Sequence, residues 1–140
     1  MTNNGQPVLY GMLATALAVV LGPAPARAAS ELADAAMKGD AAAVQALIDR
    51  HADVNAAQPD GATALHWAIY RGDLPTAKAL VKAGASVTQP NSDGATPLSL
   101  ACQNGTVELV RLLLDAGADA NEALANGETA LMMAARTGNP

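Results

Sequence analysis

Apolar side chains along this chain recur at intervals of three and four residues, and glycines interrupt the runs at regular points. One such run contains Ala77, Leu80 and Val81 and ends at Gly84. This spacing places the apolar side chains on one face of a helix, and that face must be buried against a neighbour. The pattern therefore predicts short amphipathic helices, each stopped by a residue that tolerates a left-handed backbone.

The pattern of helices and glycines is an internal repeat, because the chain aligns with itself when Asp60 is placed on Asp93. Residues 60–92 and 93–125 align without an insertion, residues 126–140 begin another copy, and residues 29–59 contain a fainter one. Four sets of residues coincide in this register: Gly61, Gly94 and Gly127; Thr63, Thr96 and Thr129; Leu65, Leu98 and Leu131; Gly72, Gly105 and Gly138. The chain is expected to be a stack of similar units.

Each unit carries the residues that begin and end two helices. The hydroxyl of Thr63 or Thr96 can cap the first helix, and Pro97 suits an early helical position. Asp73 or Thr106 can cap the second helix, whose first turn tolerates a proline. Glycines are expected to end the helices. The second helix of the first unit is instead expected to end at His51, where a left-handed backbone costs about 1 kcal/mol of stability.

Three segments carry a resemblance to a known family: TALHWAIYRG, TPLSLACQNG and LVRLLLDAGADAN. They resemble the ankyrin repeat, with its Thr-Pro-Leu-His turn, two helices and β-turn. The resemblance covers residues 30–140 and implies an all-α solenoid of helix-turn-helix units joined by β-turn loops, with about three and a half repeats. It implies a module that binds a protein partner on its concave surface, without catalysis or a cofactor.

The chain departs from the family pattern in two places. Only the second repeat keeps the histidine of the hallmark turn, as His66, whereas the other repeats carry Ala33, Ser99 and Met132. Hydrogen bonding between repeats is therefore expected to be sparse at that level. The chain also stops at Pro140, after the first helix of the fourth repeat, so the sequence is expected to be a fragment of a longer protein.

The family register also assigns roles to individual residues. The predicted partner-binding positions lie on the turn tips and the first helices: Gln58, Asp60, Ala62, Tyr70, Arg71, Ser92, Asp93, Gln103, Asn104, Asn126, Glu128 and Arg136. Tyr70 and Arg71 rank first among them, because both residue types are enriched at interface hot spots. The predicted structural positions are Thr63, His66, Gly72, Gly84, Thr96, Gly105 and Gly117.

The segment that precedes the repeats, residues 1–28, has the form of an export signal. The stretch from Val8 to Leu21 is uncharged, and a Pro-containing stretch leads to the small-x-small sequence Ala26-Arg27-Ala28. Cleavage after Ala28 predicts a periplasmic or secreted protein. The segment before the apolar run has no Lys or Arg, so an uncleaved membrane anchor or a disordered arm is the alternative.

Composition and charge narrow the partner class. The formal net charge of −5 argues against nucleic acid or an anionic membrane as the main partner. The absence of Phe favours closely packed helices over a wide single core. Cys102 is the only cysteine, and no set of residues has metal-ligand spacing. His66 and Cys102 could be read as a small catalytic pair, but the register leaves Cys102 without a base beside it. The alternative function is a targeting or scaffold domain of a larger enzyme or membrane-associated protein.

Overall fold

The computed structural model of the chain describes residues 30–104, 106–123 and 126–136, the side chains of residues 131, 133 and 134 excepted. The predicted leader, residues 1–28, lies outside the described residues. So does Gly105, whose predicted role as a helix stop stays a prediction.

The described residues form seven helices: α1 (Glu31–Lys38), α2 (Ala41–Asp49), α3 (Ala64–Tyr70), α4 (Leu74–Lys82), α5 (Pro97–Asn104), α6 (Val107–Asp115) and α7 (Ala130–Arg136). The first helices of the units, α1, α3, α5 and α7, pack in a row, and the second helices, α2, α4 and α6, form another. In the first three units, the first helix also packs on the second helix of its own unit. The predicted all-α solenoid is confirmed.

Short polar side chains begin the helices largely as predicted. The Asp73 carboxylate accepts the Thr76 N–H at 3.1 Å, and Asp40 does the same for Ala43 at 3.0 Å. Thr96 Oγ1 accepts the Ser99 N–H at 3.2 Å, so Thr96 caps α5. Thr106 occupies the N-cap position of α6, as predicted. The prediction that its hydroxyl caps the helix is wrong, because the side chain makes no capping hydrogen bond.

Left-handed residues end the helices. Gly72, Gly84 and Gly117 have φ angles of 71°, 98° and 103°. His51 stands at the place equivalent to Gly84 in the first unit with φ 59°, and it is the only described non-glycine residue with a positive φ. The left-handed backbone predicted at His51 is therefore confirmed. It is strained because a side chain at this φ crowds the neighbouring carbonyl.

The core runs between the two rows of helices and is thin. Its largest fully buried side chains are aliphatic and come from every complete unit: Leu32, Leu65, Ile69, Leu80, Leu98, Leu109 and Leu113. Val44, Val87, several alanines and Cys102 fill the remaining space, as predicted for the cysteine. Each buried leucine stabilises the stack by about 1.5–3 kcal/mol relative to exposure in water.

Successive turn tips touch directly, and this contact shapes the face that carries the candidate site. The Ser92 N–H donates to the Asp60 carbonyl at 2.9 Å, joining the tip of the second unit to that of the third. Gly61 lies under this contact with φ 79°, and a Cβ there would come within 2.8 Å of the Ser92 nitrogen. Glycine is required at this position by both the backbone conformation and the close approach.

Candidate partner-binding face

A groove of about 370 Å³ lies where the turn tips of the second and third units meet helices α3 and α5. Side chains from both units line it: Asp60, Ala62, His66, Trp67, Tyr70, Asn91, Asp93 and Leu100. Four of these residues, Asp60, Ala62, Tyr70 and Asp93, belong to the predicted partner-binding set. The structure thus brings predicted turn-tip and helix positions together at one place.

Two aromatic side chains form one wall of the groove. Trp67 and Tyr70 lie one helical turn apart on α3, with ring centroids 5.9 Å apart and planes at 87°. This edge-to-face geometry is favourable for aromatic pairs. Tyr70 is 65% exposed, the largest exposure among the large apolar side chains described. An exposed aromatic ring that is held in place by a neighbour is a typical anchor for a binding partner.

Gln58 holds the tryptophan in position. Its side-chain carbonyl accepts the Trp67 indole N–H at 2.7 Å, and its amide nitrogen donates to the Asp34 carboxylate on α1. Gln58 is half-buried and joins two units. Its predicted role at the partner surface is therefore revised, because its amide is already used within the fold.

His66 is a buried bridge between units, as the family register implies. Its Nδ1 accepts the Thr63 N–H at 3.1 Å, and its Nε2 lies 3.2 Å from the Ala95 carbonyl of the next turn, which requires a proton on Nε2. Burial lowers the pKa of His66, against the opposing effects of the Ala95 and Gln89 backbone contacts and the Asp60 charge. The ring is therefore neutral near pH 7, with both nitrogens committed to structure.

The charge in the groove comes from two carboxylates. One oxygen of Asp60 accepts the Ala62 N–H at 3.0 Å. The Asp93 side chain is exposed and makes no hydrogen bond or ion pair with any described residue. No described residue that lines the groove carries a positive charge. The groove is therefore acidic as well as aromatic.

Arg71 and Asn104 occupy equivalent positions in adjacent repeats, and both bind backward to the preceding unit. The Arg71 guanidinium donates to the Met37 carbonyl at 3.2 Å, and the Asn104 amide donates to the Ile69 carbonyl at 2.9 Å. Arg71 also lies across Gly39, where a Cβ would meet its guanidinium. Both side chains cap the end of a neighbouring helix and remain exposed, so their predicted place at the partner surface stays a prediction.

The other predicted positions differ in what they present. Ala62 lines the groove but is only 5% exposed, so its side chain offers a partner little surface and its predicted role is revised. Ser92 and Gln103 are exposed. In the fourth unit, Glu128 accepts from the Asn126 amide at 3.1 Å and lies 3.8 Å from the Arg136 guanidinium. These three residues satisfy one another at the surface.

Besides His66, which was predicted as a structural position, three residues of the groove were in neither predicted set. Leu100 is the counterpart of Trp67 in the repeat register, and Asn91 is the counterpart of Gln58. Trp67 itself lies three residues before Tyr70, so the helical period places both on one face. The repeat register and the helical period together could therefore have identified these three residues from the sequence.

A family model described as Ankyrin repeats (3 copies) matches residues 32–123 and 79–140. The chain belongs to the ankyrin repeat family. No curated protein matches the chain. Ankyrin repeats are generally protein–protein interaction modules, and the family is typically non-catalytic.

Reactive residues of this ankyrin chain sit in unreactive surroundings. Cys102 is buried in α5, and burial raises the pKa of its thiol, which disfavours the nucleophilic thiolate.

Within residues 30–104, 106–123 and 126–136, no group of three or more His, Cys, Asp or Glu side chains could hold a metal ion. None of the described helices is long and apolar enough to span a membrane.

A second, larger depression of about 590 Å³ lies at the C-terminal ends of the second helices. Its lining comes from the first and second units: Ile48, Asp49, His51, Ala52, Asp53, Val54 and Ala83. It has no aromatic ring besides that of His51, whereas the groove at Trp67 and Tyr70 exposes a tyrosine of the residue class that anchors interfaces. The smaller groove is therefore the better candidate, and the larger one supplies control positions.

Proposed function

We propose that this chain is a non-catalytic module that binds a protein partner on the face formed by its turn tips and first helices. The observation that carries the proposal is the Trp67–Tyr70 pair beside the turn tips of two adjacent units, in which Gln58 holds the half-buried Trp67 and Tyr70 is exposed. Rigid aromatic side chains provide large contact area with little loss of side-chain entropy on binding. Ser92 and Gln103 extend the same surface with polar groups.

We further propose that the partner is met outside the cytoplasm, in a periplasm or after secretion. The support is the uncharged segment from Val8 to Leu21 followed by the small-x-small sequence that ends at Ala28. Sequencing the N-terminus of the protein recovered from its source cell tests this proposal. A start at Ala29 in an exported fraction supports it, and a start at Met1 in the cytoplasm contradicts it.

Site-specific photo-crosslinking tests the binding face. A photoreactive residue, p-benzoylphenylalanine, is placed in the full chain instead of Ser92 or Gln103, both exposed on the proposed face. Matched control proteins carry it instead of Ala83 or Asp115, which are exposed at the ends of the second helices. The proposal predicts one discrete partner band, crosslinked in the source cell from positions 92 and 103 and absent from positions 83 and 115.

The same experiment includes a Tyr70→Ala background. Loss of the exposed ring is expected to lower the crosslinking yield at Ser92 at least about tenfold, the effect of a single hot spot. Arg71 is left intact, because its guanidinium ties two units together. A band that appears at Ala83 and not at Gln103 would move the binding site to the larger depression and overturn the proposal.

A further inference from the structure

The groove between the second and third units combines features that together recognise one kind of side chain. Trp67 and Tyr70 provide aromatic surface, Leu100 provides an apolar wall, and Asp60 and Asp93 provide negative charge. Aromatic faces attract cations through their quadrupole, and nearby carboxylates strengthen that attraction. We propose that the groove binds a cationic side chain, arginine or lysine, of the partner protein. This inference rests on the proposed function and specifies its partner chemistry.

No described cationic side chain forms an ion pair with the carboxylates of the groove. Asp93 has no hydrogen-bond or ion-pair partner among the described residues, and His66 is neutral. Arg71 is the basic residue closest in sequence to Tyr70, and its guanidinium donates a hydrogen bond to the Met37 carbonyl of the preceding unit. Both carboxylates therefore remain available to a positive charge brought by the partner, whereas an acidic side chain would meet repulsion there.

The size of the groove suits one long side chain rather than a folded element. Its volume of about 370 Å³ lies near the lower end of the range for small-molecule pockets. A lysine or arginine stem can pack its methylene groups against Leu100 while its charged end stays beside the carboxylates. The planar guanidinium of arginine also stacks on aromatic rings, so arginine is expected to bind more tightly than lysine.

The chain offers a direct reporter, because Trp67 is its only tryptophan. Its indole N–H gives a single resonance from one wall of the groove. The probes are four blocked tripeptides, acetyl-Gly-X-Gly-amide, in which X is arginine, lysine, norleucine or glutamate. Norleucine has the length and apolar character of the lysine stem without its charge, so it separates the contribution of charge from that of apolar contact.

The titration is made on the full chain at low ionic strength. The arginine and lysine peptides are expected to shift the Trp67 indole resonance saturably, and the norleucine and glutamate peptides to shift it at least about tenfold less at equal concentration. The Asp60→Asn/Asp93→Asn protein is expected to bind the arginine peptide about tenfold more weakly. The amide oxygen of an asparagine in place of Asp60 can still accept the Ala62 N–H, so the turn is preserved.

A protein with the single change Asp115→Asn controls for the removal of a carboxylate outside the groove, because Asp115 is exposed at the end of α6. It is expected to bind the arginine peptide with unchanged affinity. Equal shifts by norleucine and arginine, or equal affinity in the Asp60→Asn/Asp93→Asn and Asp115→Asn proteins, would overturn the inference. The unfolding midpoint of each protein is compared first, so that a loss of folding is not counted as a loss of binding.

The crosslinking experiment separates this inference from the proposed function. A partner that crosslinks at Ser92 equally in the Asp60→Asn/Asp93→Asn and unchanged proteins would leave the binding face in place and contradict the cation site. A partner whose band is lost in that protein and retained with Asp115→Asn would support both.

Discussion

The first turns of the second and third repeats have the same backbone role and different chemistry. In the second repeat, His66 accepts from the Thr63 N–H and reaches the Ala95 carbonyl of the following unit. In the third repeat, Ser99 accepts from the Thr96 N–H at 3.0 Å and donates to the Thr96 carbonyl at 2.8 Å. One side chain joins two units, and the other completes only its own turn.

This difference separates two tasks that the histidine performs together. Capping the helix needs only an acceptor within reach of the threonine N–H, and serine supplies one. Bridging needs a second polar atom several ångströms further out, which the short serine side chain lacks. The predicted scarcity of hydrogen bonds between units at this level is confirmed for Ser99, while Asn104 and Arg71 still tie each unit backward to the one before it.

The largest expected effect tests what the two turns share. Leu65 and Leu98 are equivalent and fully buried, so Leu65→Ala and Leu98→Ala should each lower the free energy of unfolding by about 2–5 kcal/mol. Urea unfolding monitored by circular dichroism measures this. Similar losses at both positions would show equivalent packing, and a loss below about 1 kcal/mol at either would contradict the core described here.

Removal of the His66 side chain should lower the free energy of unfolding more than removal of the Ser99 side chain. His66→Ala leaves the buried Thr63 N–H without its partner and opens a cavity, so a loss of about 3 kcal/mol is expected. Ser99→Ala removes a smaller, local pair of bonds, and about 1 kcal/mol is expected. The same unfolding assay applies. Equal losses at the two positions would mean that the bridge to Ala95 contributes nothing measurable.

The pH dependence of stability isolates His66. Its pKa is lowered from 6.5 in the fold by burial, so below pH 6.5 the unfolded chain binds a proton that the folded chain does not. Stability from this group is therefore full above pH 6.5 and falls as the pH drops from there toward the lowered value. Unfolding midpoints measured from pH 8 to pH 5 should show this decline.

The control for the pH experiment is His66→Gln, which cannot titrate in this range. His51 and every carboxyl group are present in both proteins, so the difference between the two pH curves reports His66. Parallel curves over the whole range would contradict a buried neutral histidine.

The smallest effect concerns the first unit, where His51 occupies a place taken elsewhere by Gly84 and Gly117. His51→Gly should raise the free energy of unfolding by about 1 kcal/mol, because the left-handed strain disappears. His51→Ala keeps a Cβ at the same φ and serves as the control, with no gain expected. Thermal unfolding of the two variants compares them directly, and an equal gain in both would exclude backbone strain as the cause.

The repeat architecture was readable from the sequence because its signals are local. A helix stop needs a residue that accepts a positive φ, a cap needs a short polar acceptor, and a buried face needs apolar residues at helical spacing. Gly72, Gly84, Gly117, Asp73 and Thr96 carry these signals. The repeat register then extends them from one unit to the next, so the helices, their order and their stacking all follow from local chemistry that recurs along the chain.

Contacts between units decide which polar side chains also hold the stack together. Gln58, Arg71 and Asn104 look like surface residues in the sequence, yet each binds a group on a neighbouring unit. The pairing of Trp67 with Tyr70 and the placement of Asp93 beside them form a groove only where two units meet. A hydrogen bond or groove between units depends on distances across the stack, and local sequence patterns do not encode those distances.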